Sequence, residues 1–320
     1  MNILITGGLG YVGGRIADHL KEREPTNKIF LTTRDEDRDL PSWTDKFTVL
    51  EMDILRDGSI NQCLKNRNMD VIIHLAAMNE IDSMKDPVLA LEVNSRGTYS
   101  LLQQALKNNV KRFVYFSTYH VYGETTDSII TEETPTRPFH PYALTHRAAE
   151  DFVAFFRHYH KMDTLIFRLS NGYGYPMDSL INRWTLVFND LCRQAVTEGR
   201  LVLRSSGRQY RDFISLHDAS RAVHHFLFNI PHQWGDGLYN LGGDFSISIL
   251  DIAKKIAEVF SKKYNKEILQ IVTGTEDNPA RDIKPVNYCI DKLKGTGFVL
   301  TGDMETEIAK TIELCKEFCG

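Results

Sequence analysis

Three glycines follow the first strand-like run of the chain at intervals of three residues. Gly7, Gly10 and Gly13 form a Gly-x-x-Gly-x-x-Gly pattern, with Tyr11 and Val12 inside it. Glycine permits a tight turn, lets a phosphate group approach the backbone and allows a helix to pack closely on a strand. The free N–H groups of the helix that opens here favour an anion. The pattern therefore predicts a binding turn for the pyrophosphate of a dinucleotide.

The end of the second strand-like run bears on which dinucleotide is bound. Thr33 and Arg34 stand where an NAD site usually places an acidic residue for the ribose 2′-hydroxyl. An arginine at this point suits a 2′-phosphate, so the pair favours NADP. Alternatively, Arg34 is a solvated loop residue and Asp35 supplies the acid one position later, which leaves NAD open.

Short apolar runs alternate with amphipathic runs through the first half of the chain. The former predict strands at Asn2–Thr6, Ile29–Thr33, Phe47–Met52, Val71–Leu75, Phe113–Ser117 and Thr164–Leu169. The latter predict helices, for example at Gly10–Lys21 and Pro87–Asn108. This βαβ alternation indicates an α/β chain with a Rossmann-type, doubly wound parallel sheet that helices cover on both faces.

The rhythm changes beyond Asn171. The remaining chain predicts helices at Ile181–Thr197 and Ile249–Lys262 and strands at Leu201–Arg204 and Tyr264–Val272. We therefore predict a dinucleotide-binding domain over residues 1–170 and a smaller mixed α/β lobe over residues 171–320 that binds the substrate. Some segments of this lobe are expected to return to the first domain.

Further motifs stand in a recognisable order along the chain. They are Met52-Asp53-Ile54, His74-Leu75-Ala76-Ala77, Val93-Asn94-Ser95-Arg96-Gly97-Thr98, Ser117-Thr118-Tyr119-His120-Val121-Tyr122-Gly123 and Pro141-Tyr142-Ala143-Leu144-Thr145-His146. With them the chain resembles the extended short-chain dehydrogenase/reductases, and among these the nucleotide-sugar epimerases, dehydratases and reductases, over nearly its whole length. The resemblance implies cofactor contacts from Asp53, Ile54, Leu75, Ala76, Ala77, Asn94, Ser117, Tyr142 and His146.

The resemblance also implies redox chemistry at a carbinol carbon. A hydride is exchanged with the nicotinamide while a proton moves to or from the oxygen of the same carbon. Tyr142 is expected to be the acid/base, and Thr118 to hydrogen-bond the reacting oxygen. A free tyrosine titrates at about pH 10, so the site must favour its phenolate.

One position departs from the family pattern. His146 stands four residues after Tyr142, where the family carries a lysine whose fixed positive charge lowers the pKa of the tyrosine. Three interpretations follow. His146 is a working substitute that favours activity at lower pH, since imidazole is largely neutral near pH 7. Alternatively, Arg147 or another nearby cation supplies the charge. In the third interpretation redox chemistry is weakened or lost, and the chain is a cofactor-binding protein.

Candidate substrate contacts follow from the same resemblance. Asn171 and Arg211 match residues that contact the substrate phosphates, and Arg281 stands where a second phosphate-binding arginine is expected. Two guanidinium groups suit a diphosphate because each offers paired, planar donors. Alternatively, Arg211 and Arg281 form surface salt bridges. The expected substrate is a nucleotide-diphosphate sugar.

The residues after Thr118 bear on the reaction. Sugar 4,6-dehydratases of the family typically place acidic residues there to eliminate water, whereas this chain has Tyr119 and His120. Dehydration is therefore disfavoured. His120 is either a second acid/base or a histidine packed behind the strand end. Arg34 favours 4-keto reduction with NADPH, while Thr118 and Tyr142 serve 4-epimerisation equally well. A reductase of a non-sugar ketone or aldehyde is a further alternative, although its substrate needs no diphosphate clamp.

Composition narrows the remaining possibilities. The net charge of −4 offers no basic field to nucleic acid or an anionic membrane, and no run approaches the roughly 18 apolar residues of a membrane span. The chain begins directly with a strand-like run, so no signal peptide is expected. Its five cysteines lack metal-type spacing, which predicts free thiols in the cytoplasm and no metal site. Apolar stripes on Val88–Asn108 and Tyr142–His158 either match the family's dimerisation helices, which predicts a homodimer, or belong to the core.

Overall fold

The computed structural model describes residues 1–35, 39–124, 129–274, 285 and 287–319. These residues form two compact units, each assembled from separate stretches of the chain. The first unit draws on residues 1–127, 132–169 and 220–241. The second draws on residues 128–131, 170–219 and 242–320.

The strands of both units are numbered along the chain. They are β1 (Asn2–Thr6), β2 (Lys28–Thr33), β3 (Thr48–Glu51), β4 (Val71–His74), β5 (Arg112–Thr118), β6 (Ile129–Ile130), β7 (Asp163–Leu169), β8 (Asn171–Tyr173), β9 (Arg200–Leu203), β10 (Tyr210–Ser215), β11 (Leu238–Leu241), β12 (Ser246–Ser248), β13 (Gln270–Thr273) and β14 (Asn287–Tyr288).

The helices are numbered in the same way. They are α1 (Tyr11–Arg23), α2 (Asp57–Leu64), α3 (Glu80–Lys85), α4 (Pro87–Ala90), α5 (Gly97–Lys107), α6 (Pro141–His160), α7 (Val187–Thr197), α8 (Leu216–His224), α9 (Ile249–Tyr264), α10 (Asp291–Lys294) and α11 (Met304–Cys319). Two π-helical segments occupy Leu91–Arg96 and His225–Asn229, and two 3₁₀ turns occupy Ser42–Lys46 and Tyr119–Tyr122.

The first unit is built on a parallel sheet of seven strands in the order β11-β7-β5-β4-β1-β2-β3. Every neighbouring pair in this order is parallel. The chain order reverses between β1 and β4, and in such sheets ligands bind beside the carboxyl ends of the strands at this point. The predicted Rossmann-type parallel sheet is therefore confirmed.

The apolar core of the first unit lies between the sheet and α2, α5 and α6. Ile72 and Phe113 of the central strands pack there with Ile60, Leu101 and Val153 of the three helices. All five side chains are completely buried. The sheet and α6 are thereby fixed relative to each other, and both carry residues predicted to be catalytic.

The second unit has smaller sheets and its own core. Strands β12, β10 and β8 form one sheet, while β13 pairs with β9 and β14 with β6. Helices α7, α9 and α11 enclose a separate cluster of buried residues, which includes Phe188, Ile252, Ile256 and Ile312. Tyr173 of β8 and Phe213 of β10 belong to this core. The two strands that carry the residues predicted to bind the substrate phosphates are therefore packed against it.

Three predicted elements differ from the structure. The helix predicted over Ile181–Thr197 begins only at Val187, because side chains hold the preceding residues in turns; Trp184 Nε1, for example, donates to the Ser179 carbonyl at 3.1 Å. The strand predicted over Tyr264–Val272 spans only Gln270–Thr273, since α9 extends through Tyr264, whose ring packs 5.0 Å from that of Phe260. The helix predicted over Pro87–Asn108 is interrupted by the first π-helical segment.

Long apolar helices are not found in the described parts of either unit. Across these residues, no helix combines the length and the apolar content needed to cross a membrane.

Candidate active site

The glycine-rich turn between β1 and α1 has no space for side chains. Gly7 has a φ of +68°, and a Cβ atom on it would lie 2.9 Å from the backbone nitrogen of Ala76. A Cβ atom on Gly13 would lie 2.3 Å from the carbonyl oxygen of Gly7. The N–H of Gly10 donates to that same oxygen at 2.9 Å. The turn therefore requires glycine, and it leaves the backbone open to a phosphate group.

Helix α1 begins at this turn with an open N-terminus. Its capping residue, Gly10, has no side chain to accept from the first N–H groups, and the first turn of the helix carries no acidic residue. Tyr11 and Gly13 are buried in this first turn, and Val12 is half-buried. The N–H groups of the first turn and the dipole of this helix of 13 residues can bind an anion.

A cleft of about 1030 Å³ opens beside the turn, lined by residues that end or follow β1, β2, β3 and β4. Eight of the residues predicted to contact the cofactor line it: Gly7, Gly10, Thr33, Arg34, Asp53, Ile54, Ala76 and Ala77. A ninth, Leu75, precedes Ala76 and donates its N–H to the carbonyl of Thr6 at 3.1 Å. The cleft therefore lies where a parallel α/β sheet binds its ligand.

The cleft wall after β2 carries charges of both signs. Arg34 and Asp35 are exposed and line the cleft together. The hydroxyl of Thr33 donates to the carbonyl of Asp35 at 3.1 Å, which turns the chain back at this point. Asp53 stands after β3, where its carboxylate accepts from Arg56 Nε at 2.9 Å. Arg34, which favours NADP, and Asp35, which favours NAD, therefore line the same wall of the cleft.

Asn94 connects the loop after β4 to α6. It is buried in the π-helical segment Leu91–Arg96, a conformation frequent at functional sites. Its Oδ1 accepts from the N–H of Met78 at 2.7 Å, and its Nδ2 donates to Thr145 Oγ1 at 3.0 Å. Because Thr145 precedes His146, Asn94 positions this part of α6 against the loop after β4.

Tyr142 is the second residue of α6. Pro141 occupies the first helical position, and Nδ1 of the capping residue His140 accepts from the N–H of Ala143 at 3.3 Å. One turn along the helix, the ring of His146 lies 4.5 Å from that of Tyr142, edge to face. The rings of His120 and His140 each lie 6.1 Å from it. Three histidine rings therefore surround the predicted acid/base.

Thr118 and His120 lie at the end of β5. Thr118 is buried, and its Oγ1 accepts from the N–H of His120 at 3.3 Å. The side chain of His120 is 29% exposed, and its Nε2 lies 4.0 Å from a carboxylate oxygen of Glu80. His120 is therefore partly exposed beside Tyr142, which favours a second acid/base over a histidine packed behind the strand end.

His146 is buried, and its surroundings favour the neutral imidazole. Burial, reinforced by His74, His120 and His140, lowers the pKa of its imidazole to about 3. Its Nδ1 lies 2.7 Å from the hydroxyl of Tyr115 on β5, and its Nε2 is buried without a hydrogen-bond partner. A ring with this pKa is neutral near pH 7, which argues against the interpretation that a protonated His146 favours activity at lower pH.

Arg147 does not present a free positive charge to Tyr142. Its Nη1 lies 2.5 Å from Asp151 Oδ1 and 3.7 Å from Glu150, and its Nε donates to Thr136 Oγ1 at 2.9 Å. Two carboxylates therefore balance this guanidinium, which weakens the second interpretation of the missing lysine.

Buried polar partners around α6 were not found from the sequence. Tyr115 looks like one more apolar residue of a strand, and the only signal for its role is a hydroxyl that must be satisfied when buried. Glu150 and Arg168 form a bidentate ion pair, with nitrogen–oxygen distances of 3.0 and 2.8 Å. His74 lies 2.6 Å from Thr6 Oγ1, and burial lowers its pKa to about 3.

The residues present fit a nicotinamide dinucleotide. The glycine turn admits phosphate groups, and the cleft holds the predicted contacts for the rest of the adenosine half. Two further residues predicted to contact the cofactor, Ser117 and His146, each carry a buried polar atom that finds no partner among the described residues. Buried polar atoms are rarely left unsatisfied, so Ser117 Oγ and His146 Nε2 are suited to a polar ligand.

The predicted substrate ligands lie in the second unit. Asn171 on β8 stands opposite Phe213 of β10, two residues along from Arg211. Asn171 Nδ2 donates to the carbonyl of Asp212 at 2.8 Å, and Arg211 Nη1 donates to that of Tyr210 at 2.8 Å. Arg281 lies outside the described residues. Asn171 and Arg211 therefore come from paired strands of one sheet.

No metal site accompanies this arrangement in the parts of the chain that the structure describes. Among these residues, no group of three or more His, Cys, Asp or Glu side chains could hold a metal ion.

Known proteins resemble the chain in sequence and in fold. The dTDP-D-glucose 4,6-dehydratase of Bos taurus is 27% identical over 331 residues, covering 98% of this chain and 88% of the relative. The UDP-glucose 4-epimerase of Thermotoga maritima, solved with UDP-glucose, has a TM-score of 0.82 at 21% identity and 99% coverage of both chains. RMD of Pseudomonas aeruginosa, solved with NADPH, has a TM-score of 0.80 at 22% identity and the same coverage. Residues 3–242 match the sequence model of the NAD dependent epimerase/dehydratase family, and the chain belongs to this family.

Proposed function

We propose that the chain catalyses the NAD(P)-dependent redox modification of a nucleotide-activated sugar, by 4-epimerisation or by reduction of a 4-keto sugar. The observation that carries the proposal is the position of Tyr142, whose ring lies 4.5 Å from that of His146 in the unit that contains the dinucleotide cleft. The names of the relatives support the substrate class, since they describe enzymes of dTDP-glucose and UDP-glucose.

The residues of this chain move and hold a proton at one substrate oxygen. When bound, the dinucleotide supplies the redox group that accepts or returns a hydride. Tyr142 takes the proton of a sugar hydroxyl, or returns it, through its phenolic oxygen. Thr118 hydrogen-bonds the same sugar oxygen and thereby orients it. His146 holds the cofactor by donating from Nε2, which finds no partner among the described residues.

We propose NADP as the preferred cofactor and NAD as the alternative. Arg34 lines the cleft at the end of β2, where its guanidinium suits a 2′-phosphate. Asp35 lines the same wall and suits a free 2′-hydroxyl, which is the observation that favours NAD. The structure solved with NADPH belongs to a protein of the same fold, which is compatible with either choice.

Dehydration is the second candidate reaction, and the name of the bovine relative favours it. Elimination of water from the sugar needs an acid and a base beyond Tyr142. Tyr119 and His120 occupy the two positions after Thr118, and the carboxylate near them belongs to Glu80, whose Oε2 lies 4.0 Å from His120 Nε2. A histidine–glutamate pair at this distance differs from the acidic residues expected of a dehydratase, so we place dehydration second.

The second unit is proposed to bind the diphosphate of the substrate. Asn171 offers a side-chain amide and Arg211 a planar, paired donor, and both side chains are half-buried. Arg281 is proposed as the second guanidinium of this clamp. These polar groups disfavour the alternative of an apolar, non-sugar ketone.

A homodimer and a cytoplasmic location complete the proposal. The α3–α6 face of the first unit exposes large apolar side chains, among them Val88 (73%), Leu91 (52%), Leu144 (49%) and Tyr159 (69%). A second copy of the chain would cover this face, because exposed apolar clusters mark interaction surfaces. Buried thiols such as Cys63 and Cys192 suit a reducing compartment.

One assay tests these assignments together. The purified protein is incubated with UDP- and dTDP-hexoses and their 4-keto derivatives, with and without NADPH, and the products are identified by mass spectrometry and NMR. An isomer of unchanged mass supports epimerisation, and NADPH consumption with a 4-keto sugar supports reduction. Loss of water in place of both overturns the proposal in favour of dehydration. Tyr142→Phe is the control, expected to bind dinucleotide without turnover.

A further inference from the structure

A buried tyrosine contacts the histidine that stands in place of the family lysine. Tyr115 points from β5 and His146 from α6, and both side chains are only 3% exposed. The Tyr115 hydroxyl lies 2.7 Å from His146 Nδ1, and the two rings are nearly parallel at 5.9 Å. The sequence separation of 31 residues makes this a tertiary contact between strand and helix.

The direction of this hydrogen bond follows from the partners of the hydroxyl. Burial, followed by the charges of Glu150 and Tyr142, raises the pKa of Tyr115, so its hydroxyl keeps its proton. Among the described residues, that proton has one hydrogen-bond acceptor, His146 Nδ1. If Nδ1 instead carried the imidazole proton, the hydroxyl proton would be buried without an acceptor. The contact therefore selects the tautomer that is protonated on Nε2.

The ring that carries the selected N–H group packs against the predicted catalytic tyrosine. Within the described residues, His146 Nε2 is buried without a protein partner, and its ring is 4.5 Å from that of Tyr142. The titratable neighbours of the imidazole are His74, His120, His140 and Tyr142, none of which is a permanent cation. The guanidinium of Arg168 is held by Glu150. His146 thus offers one directed donor and no charge.

We propose that Tyr115 is a positioning residue, which fixes His146 as a neutral imidazole so that Nε2–H donates to a hydroxyl oxygen of the bound dinucleotide. The inference rests on the proposed function, because it requires a dinucleotide in the cleft. The lysine of the family pattern carries a positive charge, and its donors can rotate towards a ligand. The pair Tyr115–His146 instead offers a neutral donor, whose direction depends on Tyr115. Loss of the Tyr115 hydroxyl therefore affects dinucleotide binding through His146 alone.

The tautomer is measured first, on protein without sugar substrate and without turnover. In protein labelled with ¹⁵N-histidine, the His146 signals are assigned by their loss in His146→Gln. We expect the wild type to show a protonated Nε2 and an unprotonated Nδ1, and Tyr115→Phe to show a mixture of both tautomers. Tyr122→Phe is the matched control, because it removes an equally buried hydroxyl that donates to Asn240 Oδ1 at 2.6 Å. We expect it to leave the His146 signals unchanged.

Binding of NAD and NADP is then measured by calorimetry in a double-mutant cycle. We expect Tyr115→Phe to weaken binding roughly 3- to 10-fold, as for the loss of one neutral hydrogen bond. In the His146→Gln background the same substitution is expected to cause no further loss of affinity, because the imidazole that Tyr115 orients is absent. Tyr122→Phe is expected to bind like the wild type.

The outcomes separate this inference from the proposed function. An unchanged tautomer in Tyr115→Phe, or an equal loss of affinity in both backgrounds, overturns the role of Tyr115 and leaves the proposed function standing. A wild-type protein that binds neither NAD nor NADP overturns both. A mixed tautomer in Tyr115→Phe together with an affinity loss that depends on His146 supports the inference.

Discussion

Acidification is expected to destabilise the folded protein through two buried histidines, His74 and His146. Burial lowers the pKa of His74 to about 3, and burial together with neighbouring histidines lowers that of His146 to about 3. In the unfolded chain both rings take up a proton near their ordinary pKa of 6.5. The unfolded state therefore binds more protons, so the stability that is present above about pH 6.5 is lost as the pH falls towards 3.

The size of the loss between pH 7 and pH 5 follows from these values. At pH 5 an unfolded histidine is almost fully protonated, whereas the buried ring binds essentially no proton. Linkage gives about 2 kcal/mol for each histidine over this interval, or about 4 kcal/mol for the pair. Replacing His146 by glutamine removes its titration, so the variant is expected to lose about 2 kcal/mol less than the wild type.

Asp212 acts in the opposite direction. Burial raises the pKa of its carboxyl group to about 6, even though it accepts hydrogen bonds from Ser170 and the N–H of Gly243. The folded state then takes up this proton at a higher pH than the unfolded state, so stability rises by about 1 kcal/mol as the pH falls from 7 to 5. Asp212 contributes equally in the wild type and in His146→Gln, and the difference between them isolates the histidine.

Urea unfolding at pH 7 and pH 5, followed by circular dichroism, measures these differences in the free energy of unfolding. The control is His158→Gln, which makes the same substitution at an exposed position on the last turn of α6. A His146→Gln protein that loses as much stability as the wild type would refute the neutral, buried imidazole. The same reasoning predicts that the rate of turnover does not rise on acidification below pH 6.5.

Three other substitutions test the cleft, the interior and the dimer. Gly13→Ala is expected to weaken dinucleotide binding at least ~10-fold by calorimetry, because its Cβ would lie 2.3 Å from the Gly7 oxygen and must open the turn. Glu150→Gln is expected to lower the free energy of unfolding by about 3–5 kcal/mol, whereas Glu150→Leu combined with Arg168→Met is expected to be far milder, since no buried charge is left unpaired. Val88→Glu places a charge on a side chain that is 73% exposed and is expected to give a monomer by light scattering without loss of folding.

Local features of the chain were predictable where they depend on neighbouring residues. The turn at Gly7 and Gly13 has its own spacing, and the first strand was predicted at the residues it occupies, Asn2–Thr6. Parallel strands buried on both faces give continuous apolar runs, as in the fully buried Val71–His74. These local signals were sufficient to predict the parallel sheet and the binding turn beside it.

Errors arose where tertiary contacts override the pattern. The residues before Val187 have a helical distribution of apolar side chains, yet hydrogen bonds such as that from Trp184 to the Ser179 carbonyl hold them in turns. The interruption of the predicted Pro87–Asn108 helix accompanies the hydrogen bonds of Asn94 to Met78 and Thr145, partners that are distant in sequence. Neither set of partners can be deduced from a local window.

The identity of His146 could be read from the sequence, but its charge could not. The interpretation that gave His146 a charge started from the ordinary pKa of histidine, whereas burial and neighbouring imidazoles lower the pKa of this ring. His146 and Glu150 are one helical turn apart on the buried face of α6, and polar groups on a buried face need partners from the adjoining strands. Strand β5 provides Tyr115 as the partner of His146, and β7 provides Arg168 as the partner of Glu150. A polar residue inside each apolar strand therefore indicates that α6 packs a hydrogen-bonding face against the sheet.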